Sequence, residues 1–159
     1  MKRTILLPTD FSIESLKFLV EAVQSVQIGS VNVVFLHCVY LPNSILDLLF
    51  FSKKELIKRL VTPAFEDACK VIRSKYASKI NSLRIEIFTG FTHSAFENFL
   101  AGNKIDEVFA PKGYQLQLPK NSFDPMPFIN RSGLPITQVT WKHVGDTPEK
   151  NQLAELFLI

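Results

Sequence analysis

The sequence predicts a soluble, single-domain α/β protein in which a parallel sheet lies between two layers of helices. Three observations lead there. Short runs of branched and aromatic residues alternate with longer stretches whose apolar residues recur at helical spacing, the sign of strand–helix–strand units joined by right-handed crossovers. Val31 to Val39 is apolar almost throughout, which suits a strand covered on both faces of a parallel sheet. With 159 residues, 47% of them hydrophobic and 21% charged, one domain can close a core without metals or disulfides.

Thr4 to Pro8 reads as the first strand. Ser12 then offers a helix cap, with Phe11 and Leu16 spaced as a hydrophobic staple, and Leu16, Leu19, Val20 and Val23 form the buried stripe of a helix ending near Gly29. After the second strand, Leu41 to Val61 is rich in Ile45, Leu46, Leu48, Leu49, Phe50 and Phe51, ahead of a basic helix carrying Lys53, Lys54, Lys58 and Arg59. Thr62 followed by Pro63 is a cap and first-turn proline, opening a helix that buries Phe65, Ala68, Cys69, Ile72 and Tyr76.

Leu83 to Phe88 alternates as a strand, and Ser94 with Glu97 has capping-box spacing for the next helix. Ile105 to Ala110 is the fourth strand. From Pro111 to Pro135 five prolines exclude a long helix, although Pro127 to Arg131 has room for a short one stopped at Gly133. Ile136 to Trp141 is the fifth strand. Asp146 and Glu149 provide another capping box, so the chain divides into a domain over residues 1–144 and an amphipathic tail helix over 145–159 carrying Leu153, Leu156 and Phe157.

Composition narrows the function. The net charge of +3 comes from scattered basic residues rather than a stripe, which argues against nucleic acid. No apolar run is long enough for a bilayer and the N-terminal one is broken at Pro8, so the expected location is the cytoplasm, with no membrane partner. Cys38 and Cys69 lie in apolar stretches with no metal spacing, as small hydrophobes. His37, inside the second strand, reads as a core histidine. His93 beside Ser94 invites a nucleophile–base idea, but no third group is evident and the expectation is no catalysis.

In the order they occur, Ile5-Leu6-Leu7-Pro8-Thr9-Asp10-Phe11-Ser12, Phe35-Leu36-His37-Cys38-Val39, Gly90, Ile105-Asp106-Glu107-Val108 and Pro135-Ile136 resemble the landmarks of the universal stress proteins, over about residues 3 to 143. Spacing and resemblance agree on a Rossmann-like, three-layer sandwich with a five-stranded parallel sheet in the order 3-2-1-4-5. The resemblance implies a nucleotide site at Pro8, Thr9, Asp10 and Cys38, where adenine and ribose are held, and a homodimer through Ile136 to Trp141, otherwise an exposed edge strand. It also implies a phosphate cradle of the form Gly, two residues, Gly, nine residues, Gly and then Ser or Thr. Counted from the fourth strand, those slots hold Pro111, Tyr114, Asp124 and Pro125, with Gly113 and Asn121-Ser122 as the nearest substitutes.

A backbone cradle needs small residues with free N–H groups; proline supplies none, Tyr114 adds bulk and Asp124 repels an anion. The expectation is therefore a non-catalytic stress-response or signalling module without a bound cofactor. It dimerises, acts through protein partners, and binds ATP no more tightly than millimolar because residues 111–135 fill the phosphate space. The alternatives are a nucleotide or small-molecule binder with a site rebuilt around Asp10, Gly113, Tyr114 and the phenylalanine-rich segments, and, third, an enzyme of unknown reaction.

Overall fold

The computed structural model describes residues 3–112 and 114–140. Its elements run β1 (Arg3–Pro8), α1 (Ser15–Gln24), β2 (Val31–Val39), α2 (Ile45–Leu49), α3 (Lys53–Leu60), α4 (Pro63–Lys75), β3 (Ile80–Phe88), α5 (His93–Gly102), β4 (Glu107–Lys112), β5 (Ser122–Phe123), α6 (Met126–Asn130) and β6 (Ile136–Thr140). Five parallel strands lie in the order β3-β2-β1-β4-β6, the expected topology, with β6 as the fifth parallel strand. The sixth, β5, was not foreseen. It pairs antiparallel with the end of β2, Cys38 opposite Phe123 and Val39 opposite Ser122.

Strand alternation builds a core on each face. Ile5, Leu7, Val33 and Phe35 point toward α1 and α4, meeting Leu16, Leu19, Val23, Phe65, Ala68 and Ile72. Leu6, Val34, Leu36 and Cys38 point the other way, toward Phe96 and Leu100 of α5 and Ile129 of α6. At the end of β3, the Phe88 ring packs edge-on against Phe96 and Phe128. Gly90 follows, where a Cβ would stand 2.7 Å from the Phe88 ring and 2.9 Å from the Ala95 Cβ.

Local signals fare unequally. Thr62 caps α4 as expected, its hydroxyl accepting from Phe65 N at 3.1 Å with Pro63 in the first turn. The cap of α5 is Thr92 rather than Ser94: its hydroxyl accepts from Ala95 N, and Glu97 instead faces His93 Nε2 at 3.0 Å. α1 starts at Ser15, later than expected; the Ser12 hydroxyl accepts from Ser15 N at 3.2 Å, as a cap does, while Glu14 at the boundary makes no side-chain cap. β4 runs from Glu107 to Lys112 rather than from Ile105 to Ala110, which puts Pro111 inside the ladder opposite Val139. Cys69 and Tyr76 are half-buried, not core. Among the described residues no helix is long and apolar enough to cross a membrane. Gly113, Trp141 and the tail over 145–159 lie outside the described residues.

Candidate functional site at the carboxyl ends of the strands

In an open parallel sheet the ligand position is the crevice beyond the strand ends where the order reverses, here between β1 and β4. The turn leaving β1 occupies it. Thr9 N donates to Leu36 O at 2.9 Å, continuing the ladder by one bond, and the Thr9 hydroxyl lies 3.0 Å from that of Ser15. Phe11 then adopts φ 62, a left-handed conformation that costs a non-glycine residue about 1–2 kcal/mol. Its return is burial: Phe11 N donates to Thr9 Oγ1, and the ring packs 4.8 Å from His37 and edge-on against Phe65.

Asp10 sits between them, only 8% exposed. Its Oδ1 accepts from Ser12 N at 3.0 Å and from the Ser12 hydroxyl at 2.5 Å, the local Asx turn its position favours. Its Oδ2 accepts from the Tyr114 hydroxyl at 2.5 Å and from Gln117 N at 2.8 Å, both on the far side of the crevice. Each carboxylate oxygen therefore has two donors from its own chain. Burial, and then the hydrogen bond to Asp10, push the Tyr114 hydroxyl well above its ordinary range, so it stays protonated and donating. The Tyr114 ring rests 5.4 Å from Phe18 of α1, which anchors the loop to the core.

His37, 1% exposed, spans the next interval. Its Nδ1 lies 2.9 Å from Thr9 O, which can only accept, so that nitrogen carries the proton; Nε2 then accepts from the Ser122 hydroxyl at 2.8 Å. Burial holds its pKa below the ordinary value despite the opposing pull of the Thr9 carbonyl and the Asp10 charge. This neutral histidine ties β5 to the β1 turn. Cys38, behind it, is buried and its thiol pushed far up, chiefly by desolvation. Cys69 is pushed up to about 12 by the same cause, so neither supplies a nucleophile at neutral pH.

Of the residues expected to hold a nucleotide, Pro8 ends β1 beside Leu36 of β2 and Thr9 and Asp10 follow it in the turn, whereas Cys38 packs on the other face of the sheet with Phe88 and Phe96, and Gly113 lies outside the described residues. What Thr9 and Asp10 face is protein. A void of about 140 Å³ lies against Pro111, Tyr114, Asp124 and Met126. Pro125 is buried, and Asp124 is exposed and turned back on Met126 N at 3.0 Å. Among the described residues no group of three or more metal-ligating side chains occurs.

Sequence reasoning missed the Ser122–His37 bond and the grip of Tyr114 and Gln117 on Asp10. These pairs are 85, 104 and 107 positions apart, and no local spacing announces them. The residue types were the available signal, a tyrosine where a cradle needs glycine and a hydroxyl residue following Asn121.

A second space opens beside the first. A cleft of about 1270 Å³ lies over the ends of β2 and β3, lined by Tyr40, Leu48, Phe50, Arg59, Phe91 and Asn121 among others. Asn121, at φ 69, forms its edge toward β5, and its carbonyl accepts from Tyr40 N.

No family model and no curated protein matches the chain. Solved structures do. The universal stress protein UspA from Lactobacillus plantarum superposes with a TM-score of 0.52 at 18% identity, over 88% of this chain and 97% of that one. A universal stress protein family protein from Arabidopsis thaliana, solved with AMP bound, gives 0.50 at 10% identity, over 92% and 95%. At such identities the likeness establishes the fold: this chain has the universal stress protein architecture across nearly its whole described length.

Proposed function

We propose that this protein is a universal stress protein-like module of the cytoplasm that has given up ATP binding and works, without catalysis, as a homodimer through contacts with protein partners. One observation carries the reading: both oxygens of Asp10, the carboxylate best placed to meet a ribose, are already held by Ser12, Tyr114 and Gln117. A nucleotide entering there has to break two bonds to a buried carboxylate. It then finds Pro111 and Tyr114 where backbone donors belong. Losing three charge-assisted bonds at about 1.5 kcal/mol each weakens binding roughly a thousandfold. Calorimetry with ATP and magnesium tests this. A dissociation constant above about 1 mM is expected, and a micromolar value overturns the reading.

The dimer part rests on β6, which pairs with β4 on one side and, among the described residues, with no strand on the other, leaving Thr137 and Gln138 exposed. Pairing through Ile136 to Trp141 covers that edge. Light scattering should return about twice the 18.1 kDa of one chain, whereas a monomer at micromolar concentration removes this part of the proposal.

A small-molecule site rebuilt around Asp10 and Gly113 is the second reading, favoured by the AMP in the Arabidopsis thaliana structure of the same fold. A thermal-shift screen with ATP, AMP, cyclic AMP and acidic metabolites separates the two. A ligand at a hundredfold its dissociation constant adds about 2.7 kcal/mol to stability.

A further inference from the structure

One rim of the larger cleft serves neither the core nor the cleft. From Ile45 to Phe51 only Asp47 is polar, yet α2 buries none of its residues: Ile45 is 77% exposed and Phe50 83%, with Leu46 and Leu49 similarly bare. Asp47 and Leu48 line the cleft, whereas Ile45, Leu46 and Leu49 do not, so α2 turns its acid toward the cleft and raises an apolar ridge outside it. The next helix is seated differently. α3 half-buries Leu56, Ile57 and Leu60 and leaves Lys53, Lys54, Lys58 and Arg59 exposed. Of these cations Lys58 alone has an acid beside it among the described residues, Glu55 at 3.6 Å.

We propose that the ridge docks the protein on an anionic lipid surface. Ile45, Leu46, Leu49 and Phe50 enter the boundary between headgroups and acyl chains, and the cations of α3 meet the headgroup phosphates. The inference goes beyond the proposed protein contacts and does not depend on whether ATP binds; contact of this kind needs no spanning segment. Three observations select lipid. A peptide or small molecule seated in the cleft would leave Ile45, Leu46 and Leu49 bare, whereas a yielding surface covers the whole ridge. Reversible membrane contact is firm when an apolar anchor and a basic cluster act together, and Lys53 and Lys54 follow Phe50 within about 14 Å of chain, so both reach one surface. A second copy fits poorly, because two-fold pairing through the ridge sets the cations of α3 against their own duplicates.

Flotation of the full chain with vesicles tests the proposal. At about 0.1 M salt, binding to phosphatidylcholine vesicles holding about a quarter phosphatidylglycerol should exceed binding to phosphatidylcholine alone roughly tenfold and decline as salt rises. Ile45→Ser/Phe50→Ser and Lys53→Glu/Lys54→Glu should each lower it roughly tenfold. These side chains are exposed, so both variants should keep the parent's unfolding temperature. Lys70→Glu/Arg73→Glu makes the same charge change on the exposed side of α4 and should bind as the parent does. Equal losses in the two charge variants overturn the proposal in favour of net charge alone, and undiminished binding by Ile45→Ser/Phe50→Ser removes the ridge from it. A parent chain that does not float with the charged vesicles also overturns it and leaves the ridge to a protein. If Ile45→Ser/Phe50→Ser then lowers the oligomeric mass in light scattering without vesicles, that protein is a second copy.

Discussion

Two regions at the same edge of the sheet are built on opposite principles. Over β1 and β4, polar groups of the chain satisfy one another: Asp10 accepts four hydrogen bonds and His37 uses both ring nitrogens. Over β2 and β3, two helices with no buried residue border an open cleft with Ile45 and Phe50 facing out. The fold's usual ligand position is therefore the filled one, and the larger space lies one strand away, lined by Ser44, Ser52 and Arg59 as well as by apolar side chains. Architecture places a crevice; side chains decide whether anything enters it.

If the filled region owes its closure to Asp10, removing that carboxylate should cost most. Asp10→Ala removes the carboxylate to which Tyr114 and Gln117 donate, leaving the contact of the Tyr114 hydroxyl with that of Ser12 as the remaining polar link to the β1 turn. A loss of about 3 kcal/mol is expected in urea unfolding. A loss under 1 kcal/mol would mean that the loop is held by packing alone.

Gly90 stands between Thr89 and Phe91, which line the cleft, so Gly90→Ala asks how rigid that wall is. The new methyl runs into the Phe88 ring and Ala95, and that ring is itself wedged against Phe96, Phe99, Phe123 and Phe128. About 2 kcal/mol of destabilisation follows from overpacking. A neutral result in thermal unfolding would show that the cleft side yields freely.

Tyr114→Phe is milder, because the ring keeps its place on Phe18 and Gln117 N still binds Asp10. One bond to a part-buried carboxylate is lost, about 1 kcal/mol. ATP should bind no better to this variant, since the ring still fills the space. Micromolar binding would identify the hydroxyl as the lock.

The fold was legible because its signals are local and repeated: the double-faced apolar run of β2, the Thr62-Pro63 start of α4 and the alternation of strand with helix each speak for themselves. The closure was legible only as a list of wrong residue types, Pro111, Tyr114 and Asp124. Their actual roles were not. Pro111 became part of β4, Asp124 turned to the surface, and Tyr114 reached back to Asp10, because tertiary hydrogen bonds are set by which strands become neighbours. β5 escaped notice for a similar reason. A two-residue strand has no periodicity, and Ser122-Phe123 pairs with β2 only once His37 and Phe88 are in place.

The smallest expected effect concerns pH and separates His37 from a catalytic or sensory histidine. Burial lowers its folded pKa below the unfolded value of about 6.5, so in the interval between them the unfolded chain binds more protons. Stability from keeping His37 neutral is complete above about pH 6.5 and is lost as pH falls through the folded value. The loss should be modest. A protonated ring still donates from Nδ1 to Thr9 O, and Ser122 can turn its hydroxyl to accept from Nε2, so only desolvation of the charge is added while both bonds survive. Urea unfolding at intervals from pH 8 to 5 should show a shallow decline beginning near 6.5. His37→Gln, which offers an amide of similar reach but no titration, should be less stable at pH 8 and flatter across the window. The same decline in that variant would place the titration elsewhere, and a rise in stability toward pH 5 would mean that the buried ring prefers to be charged.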